Sequence, residues 1–417
     1  MKTMYLDISV PRIVLTRLLS KVWSGAYYAP TSPLYLAELP DVPLPRPDWV
    51  RVQNRMCGIC GSDLHQLTVD AGLDVAPVAL PAHKRIYLGH EMVGEVIETG
   101  TPALSGDQRS LAEVAGTNFQ IGDRVVRWGR ADDCRARGRT KLCPACTKGH
   151  RVLCEIASEE REHHPVGGGF GNTFITPASA LVRVPMALTD EQAIFTEPTA
   201  VAIHASYRKI PQPGEKVLVL GVGTIGFLLI QVLRLLQPDC ELTAVAQFPW
   251  QADIAKTLGA DEIILTQEDG YEAVSRLTGA RLYQGRGNNR MLLGGFDTVF
   301  DVVGIPVTLQ NALRWTRAGG TVVLVGVHLH KMKIDLTPVW HQEINLLGAI
   351  GHDVVMWQNE AISTFDLAMQ WMAEGKVQTA VLLTHCFDLE EYKAAFATAV
   401  DKRSHRSIKV AFDYRIR

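Results

Sequence analysis

Apolar and polar residues alternate along the chain in two different rhythms. From about Tyr35 to Val184 short runs such as WVRVQN, EMVGEVIETG, DRVVRW and FITPASALVRV are separated by loops holding Gly, Pro and Asp. A period near two in short runs predicts strands, and this region reads as an irregular, mostly antiparallel β domain. From about Glu197 to Gly348 apolar runs (KVLVLG, LTAVA, EIIL, DTVFDVVG, TVVLVG) alternate with helical periods (TIGFLLIQVLRLL, ADIAKTLGA, ALRWTRAGG). Repeated βαβ units imply a doubly wound parallel sheet with helices on both faces. Beyond His352 come an amphipathic stretch, ISTFDLAMQWMAEG, a second helical run, DLEEYKAAFATAV, and a strand, SIKVAFD. A tail of this length predicts a return to the first domain. The reading is therefore α/β, with a first domain over 1–195, a second over 196–350 and the return over 351–417. Two polar, glycine-containing segments, Thr101 to Asn118 and Arg281 to Gly295, read as surface insertions.

The longest apolar stretch, Val217 to Leu236, has the length of a membrane span. Three glycines in its first half argue for a strand, a turn and a helix instead. The N-terminus, MKTMYLDISVPRIVLTRLLSKVW, is interrupted by Asp7, Arg12 and Arg17 and lacks a small-residue cleavage site, so it reads as part of the folded protein. Composition agrees: 417 residues, 47% hydrophobic and 21% charged, with 42 basic against 44 acidic side chains. These values exclude disorder, collagen-like structure and a small disulfide scaffold, and place the chain as a soluble, cytoplasmic protein with no membrane partner.

The run Gly221-Val222-Gly223-Thr224-Ile225-Gly226 follows a strand and opens a helix, the context in which GxGxxG signifies dinucleotide binding. The glycines allow a tight turn, close approach of a pyrophosphate and packing of helix on strand, and the helix N-terminus offers free N–H groups to the phosphates. An NAD site usually carries an acid at the end of the next strand. Here that place reads Ala246-Gln247, so NAD and NADP both remain candidates.

Six of the eight cysteines lie between Cys57 and Cys154, which points to metal before disulfides. Cys134, Cys143, Cys146 and Cys154 suit a closed tetrahedral zinc site, with Asp132 or Asp133 as alternatives to Cys134. Cys60-Gly61-Ser62-Asp63-Leu64-His65, Gly89-His90-Glu91 and Thr196-Glu197-Pro198 bring a thiolate, imidazoles and carboxylates that suit a zinc site with an open position. Cys57 forms a CxxC with Cys60, so a redox pair or a zinc half-site is a competing reading. Nine Lys/Arg against two Asp between Arg124 and Arg151 raise a basic, nucleic-acid-binding zinc module as the non-enzyme alternative. The slightly acidic whole chain argues against nucleic acid. His163, His164, His328 and His330 read as surface or loop residues.

Taken together, ICGSDLH, GHEMVGEV, GDRVV, the cysteine lobe, FTEPTAVAIHA and VLGVGTIG make the chain from about Tyr35 onward resemble the zinc-dependent medium-chain dehydrogenase/reductase (alcohol dehydrogenase) family, threonine and polyol (sorbitol-type) branch. The resemblance implies a GroES-like catalytic domain of irregular β-barrel form, a Rossmann domain, and a homodimer or homotetramer. It implies one catalytic zinc held by Cys60 and His90, with Glu91 and Glu197 as direct or water-linked ligands, and one structural zinc on the four-cysteine lobe. The activity expected is reversible oxidation of a secondary alcohol by hydride transfer to NAD or NADP, the partner being a small-molecule alcohol or carbonyl. Ser62 is expected to take the hydroxyl proton and relay it through the cofactor ribose to His65, an imidazole being suited to proton exchange near neutrality. Asp63 is expected to orient His90. The rival enzyme readings are a formaldehyde-type dehydrogenase acting on aldehydes or thiol adducts, and an NADPH-dependent reductase.

Overall fold

The computed structural model describes residues 1–68, 70–72, 75–76, 84–100, 118–128, 132–159, 162–287 and 289–415. The expected insertion Thr101 to Asn118 lies outside them except at Asn118. The chain divides into two compact units, Met1–Glu197 with Phe365–Ala373 and Thr379–Arg417, and Pro198–Thr364 with Glu374–Gln378.

In the first unit β1 (Lys2–Asp7) pairs antiparallel with both β2 (Leu34–Glu38) and β4 (Arg85–Tyr87). Helix α1 (Val10–Ser20) lies between β1 and β2 in the chain. The larger sheet is built around β3 (Trp49–Gly58), which pairs antiparallel with β5 (Glu91–Thr99), β7 (Thr173–Pro177) and β20 (Lys409–Asp413). β6 (Arg124–Arg127) and β8 (Leu181–Arg183) extend it beyond β5, and β19 (Leu383–Phe387) runs parallel to β20 at the other edge. The alternation in WVRVQN becomes a strand whose inward side chains, Val50, Val52 and Cys57, join Leu88, Val96, Phe170, Phe174 and Phe412 in one core. The tail runs back beside β3 because SIKVAFD supplies a strand that β3 still lacks: Phe412 stands opposite Cys57 and Ala411 opposite Gly58.

The second unit carries a parallel sheet with strand order β11 (Glu262–Leu265), β10 (Glu241–Ala246), β9 (Lys216–Leu220), β14 (Phe296–Asp301), β15 (Thr316–Leu324), β16 (Asn345–Gly348). A parallel strand covered on both faces is continuously apolar, and Val217 to Leu220 are all buried. The helix Thr224–Leu236 then buries Phe227 to Leu233. Its 13 residues rise only about 20 Å, short of a bilayer core. No helix among the described residues is long and apolar enough to cross a membrane. The second expected insertion is not a structureless loop: Arg281–Gln284 and Arg290–Leu293 pair as a β-hairpin, with Leu292 anchored in the core. The apolar side chains of Leu282, Tyr283 and Met291 to Leu293 supplied a strand signal that the turn sequence QGRGNNR obscured.

Candidate active site

The end of β3 delivers Cys60 to the start of helix α2 (Gly61–Thr68), and the start of β5 delivers His90 and Glu91. The two meet because Gly58 stands opposite Glu91 in the β3–β5 register. One ligand atom from each of Cys60, His90 and Glu91 lies within 4.8 Å of the others. Asp63 braces this meeting point. It is 2% exposed, accepts the Cys60 N–H at 3.0 Å and the Gly89 N–H at 3.3 Å, and stands 3.6 Å from His90 Nδ1. The last distance is an ion-pair separation rather than a hydrogen bond. A single carboxylate thus fixes both ligand-bearing segments. Burial disfavours a charged His90, but the Asp63 and Cys60 charges outweigh it and raise its pKa well above the usual imidazole value.

Glu197, in the first turn of the helix Thr196–Arg208, lies outside this trio of converging atoms but within its field. Burial pushes its carboxyl up to about 7; His90 and Lys409 pull downward while Glu91 and Asp63 add to the rise. Lys409, which the sequence reading overlooked, is 2% exposed on β20. Its ammonium pairs with Glu91 and donates to the Ile59 carbonyl at 3.2 Å. A Cβ on Gly58 would stand 2.5 Å from Glu91 Oε2 and 3.0 Å from Lys409 Cδ, so glycine at that point makes room for the pair. A lone lysine in a strand that reads as core was the available signal, since such a charge needs a partner.

Ser62 and His65 occupy α2 three residues apart, hence on one helix face, and both are partly exposed. His65 Nδ1 lies 2.8 Å from Asp70 Oδ2. With Nδ1–H donating to that carboxylate, Nε2 is left as a proton acceptor. Cys57 is fully buried, and burial together with the Asp63 and Glu91 charges drives its thiol well above the ordinary range. That disfavours both a redox and a ligand role, since each needs the thiolate.

In the cysteine lobe the sulfurs of Cys134, Cys143, Cys146 and Cys154 lie within 4.8 Å of one another. Separations of 3.8 Å for Cys134–Cys154 and 4.0 Å for Cys143–Cys154 are far beyond a disulfide bond. Backbone N–H groups point at these sulfurs, Cys143 N at Cys134 and Cys146 N at Cys143, both 3.4 Å. The Cys146 N–H, with Glu155's, draws the Cys143 thiol down to about 7. Converging sulfurs with N–H donors aimed at them suit a soft divalent cation. Asp133 is occupied otherwise, accepting from Arg151 and the Arg135 and Ala136 amides. Part of the basic charge in this lobe is paired internally: Arg124 with Asp190, Arg151 with Asp133 and Arg139 with Glu159. Of the four histidines read as surface or loop, His163 and His328 are half-buried and His164 and His330 exposed, all in irregular backbone.

In the second unit Gly221 follows β9 with φ +97°, and a Cβ there would meet Val303 at 2.4 Å. A Cβ on Gly226 would stand 2.1 Å from the Gly221 carbonyl oxygen. Gly223 caps the helix that Thr224 begins, Val222 is buried, and Ile225 is half-buried. The turn fits a pyrophosphate laid on the helix N-terminus. At the end of β10, Ala246 is buried and Gln247 exposed, its carbonyl accepting from Gln267.

Residues 46–186 match the alcohol dehydrogenase GroES-like domain, and residues 224–374 match the zinc-binding dehydrogenase family. Similar proteins include D-arabinitol dehydrogenase 1 from Uromyces fabae, 28% identical over 376 residues covering 89% of this chain and 91% of the relative. L-idonate 5-dehydrogenase from Vitis vinifera is 27% identical over 372 residues, 87% of each chain. The fold is shared with 2R,3R-butanediol dehydrogenase from Bacillus subtilis (TM-score 0.64, 23% identity, 91% and 96% coverage) and galactitol-1-phosphate dehydrogenase from Escherichia coli (TM-score 0.69, 20% identity, 99% and 100%). The chain belongs to the zinc-dependent medium-chain alcohol dehydrogenase family, with a GroES-like domain and a Rossmann domain. It is an oxidoreductase that uses zinc and a nicotinamide dinucleotide on small-molecule alcohols.

Proposed function

We propose that this enzyme reversibly oxidises a secondary hydroxyl of a polyol. The observation that carries the reading is the convergence of Cys60, His90 and Glu91 beneath a braced Asp63, in a chain whose relatives are named for arabinitol, sorbitol and idonate. Those names favour a polyol over an aldehyde or thiol adduct. When bound, zinc supplies Lewis acidity toward the substrate oxygen and the nicotinamide takes up the hydride. Cys60 and His90 hold the catalytic metal, while Glu91 and Glu197 stand ready as carboxylate ligands, directly or through water. Asp63 holds the two ligand segments in register. Ser62 accepts the hydroxyl proton, and His65, oriented by Asp70, passes it to solvent. Cys134, Cys143, Cys146 and Cys154 hold a second, structural zinc. Gly221 to Gly226 seat the pyrophosphate, and the neutral Ala246-Gln247 neither repels a 2′-phosphate nor grips a 2′-hydroxyl, so NAD and NADP are both accepted. We place the enzyme in the cytoplasm as a homo-oligomer.

The test is a panel of polyols, amino alcohols and simple alcohols assayed with both cofactors, using wild type and His90→Ala. Polyol-dependent reduction of either cofactor is expected in wild type and its loss in His90→Ala with the fold retained. Full activity in that variant with one zinc removed would overturn the mechanism.

A further inference from the structure

Helix α1 is turned inside out. At about 100° per residue, Val10, Val14 and Leu18 fall within about 80° of one another, and Leu15 continues the arc. A helix on a globular protein ordinarily buries such an arc. Here Val10 is 63% exposed, Val14 47%, Leu15 40% and Leu18 58%, and Val22 and Trp23 in the following turn are 87% and 55% exposed. Thr16, on the opposite side, is fully buried with its hydroxyl unpartnered.

The segment that carries this arc holds charge of one sign. Between Asp7 and Glu38 the sequence holds Arg12, Arg17 and Lys21 and no carboxylate, in a chain whose net charge is −2. By the same angular count, Arg17 lies about 20° before Val10 at one margin of the arc, Arg12 about 60° beyond Leu15 at the other, and Lys21 between Val10 and Val14. Arg12 donates to the Pro30 and Ser32 carbonyls and Arg17 to that of Ala71, which hold these two side chains at the margins.

We infer that α1 is a peripheral membrane anchor whose occupant is the surface of an anionic phospholipid bilayer. Val10, Val14, Leu18, Val22 and Trp23 enter the headgroup–acyl boundary, and the three cations lie at the level of the phosphates. Such a surface supplies both halves of what the helix presents, an apolar interior beneath a negative layer. A second copy of the helix would instead set three cations against three cations with no carboxylate from either stretch.

The test is co-flotation of the full-length enzyme with phosphatidylcholine vesicles and with vesicles containing phosphatidylglycerol. Recovery on the anionic vesicles is expected to exceed that on neutral ones at least about tenfold and to fall with salt. Leu18→Glu is expected to return recovery to background, and Lys21→Gln to lower it severalfold. Both sites face solvent away from the catalytic residues, so zinc content and alcohol turnover should match wild type. Equal recovery of wild type with and without anionic vesicles would overturn the inference. So would equal flotation of Leu18→Glu and wild type. A smaller solution mass for Leu18→Glu, with no vesicle binding by wild type, would assign the face to contact between copies and also overturn it.

Discussion

Lys409 and Glu91 show what one residue contributes when it is read only in context. Neither charge would be stable alone at 2% and 1% side-chain exposure, and each makes the other tolerable. Removing one partner strands the other, which typically costs about 3–5 kcal/mol. Lys409→Met is accordingly expected to lose about that much stability in urea unfolding at neutral pH, and Lys409→Arg to recover part of it. An unchanged midpoint in the Met variant would mean that Glu91 finds another partner. Cys60, His90 and Glu91 were legible from motif and spacing, because their residue types announce the chemistry. Lys409 and Asp70 were not, because their roles depend on neighbours 318 and 5 positions away.

At the scale of elements, the cysteine lobe is a small core with sulfur at its centre. Among the described residues, Ala157 alone joins Cys134, Cys146 and Cys154 as the buried members of this cluster, and Leu142, Cys143 and Ile156 pack against them. So little apolar surface cannot fold a lobe of this size, and the metal is expected to supply the difference. Cys146→Ser is predicted to lower bound zinc from two to one per chain by elemental analysis, to lower Tm by roughly 5 °C, and to expose the 134–154 segment to proteolysis. Polyol oxidation should persist at reduced level, since Cys60 and His90 remain. The hairpin at 281–293 is the opposite case, an element whose strands were hidden by a turn composed like an insertion. Helix α1 was legible as folded chain, but which of its faces is buried was not, since its packing against the turn Ser24–Tyr28 and the anchoring of Arg12 and Arg17 on the Pro30, Ser32 and Ala71 carbonyls decide which way the helix turns.

For the whole molecule, Asp190 ties distant parts of the first unit together. Its carboxylate, 4% exposed, accepts from Arg55 at 2.7 Å, Arg124 at 2.6 Å and Arg415 at 3.2 Å. Burial raises its pKa, but the Arg55 and Arg124 hydrogen bonds and charges outweigh that and hold it below the ordinary carboxylate value. A lowered folded-state pKa means stability that is present above the unfolded value, near 4, and lost as pH falls through the folded one. Asp190→Asn should therefore be less stable than wild type by about 3 kcal/mol at pH 7, with the gap narrowing below about pH 4. A gap that is constant with pH would refute the assignment. In the second unit β16 forms the sheet edge, and Leu346, Ile350 and Met356 are 39%, 59% and 60% exposed. An open edge beside exposed apolar groups is a template for pairing with another copy. Light scattering is expected to give a dimer or a multiple of one, and a monomer at micromolar concentration would contradict this. The sequence by itself determined the two rhythms of the chain, the nucleotide turn and the identity of the ligand candidates, because periodicity, glycine placement and donor chemistry are local properties. The arrangement of the site was decided only by tertiary structure. Strand register brings Glu91 opposite Gly58, and the returning β20 brings Lys409 to Glu91, both through contacts between residues that the chain keeps far apart.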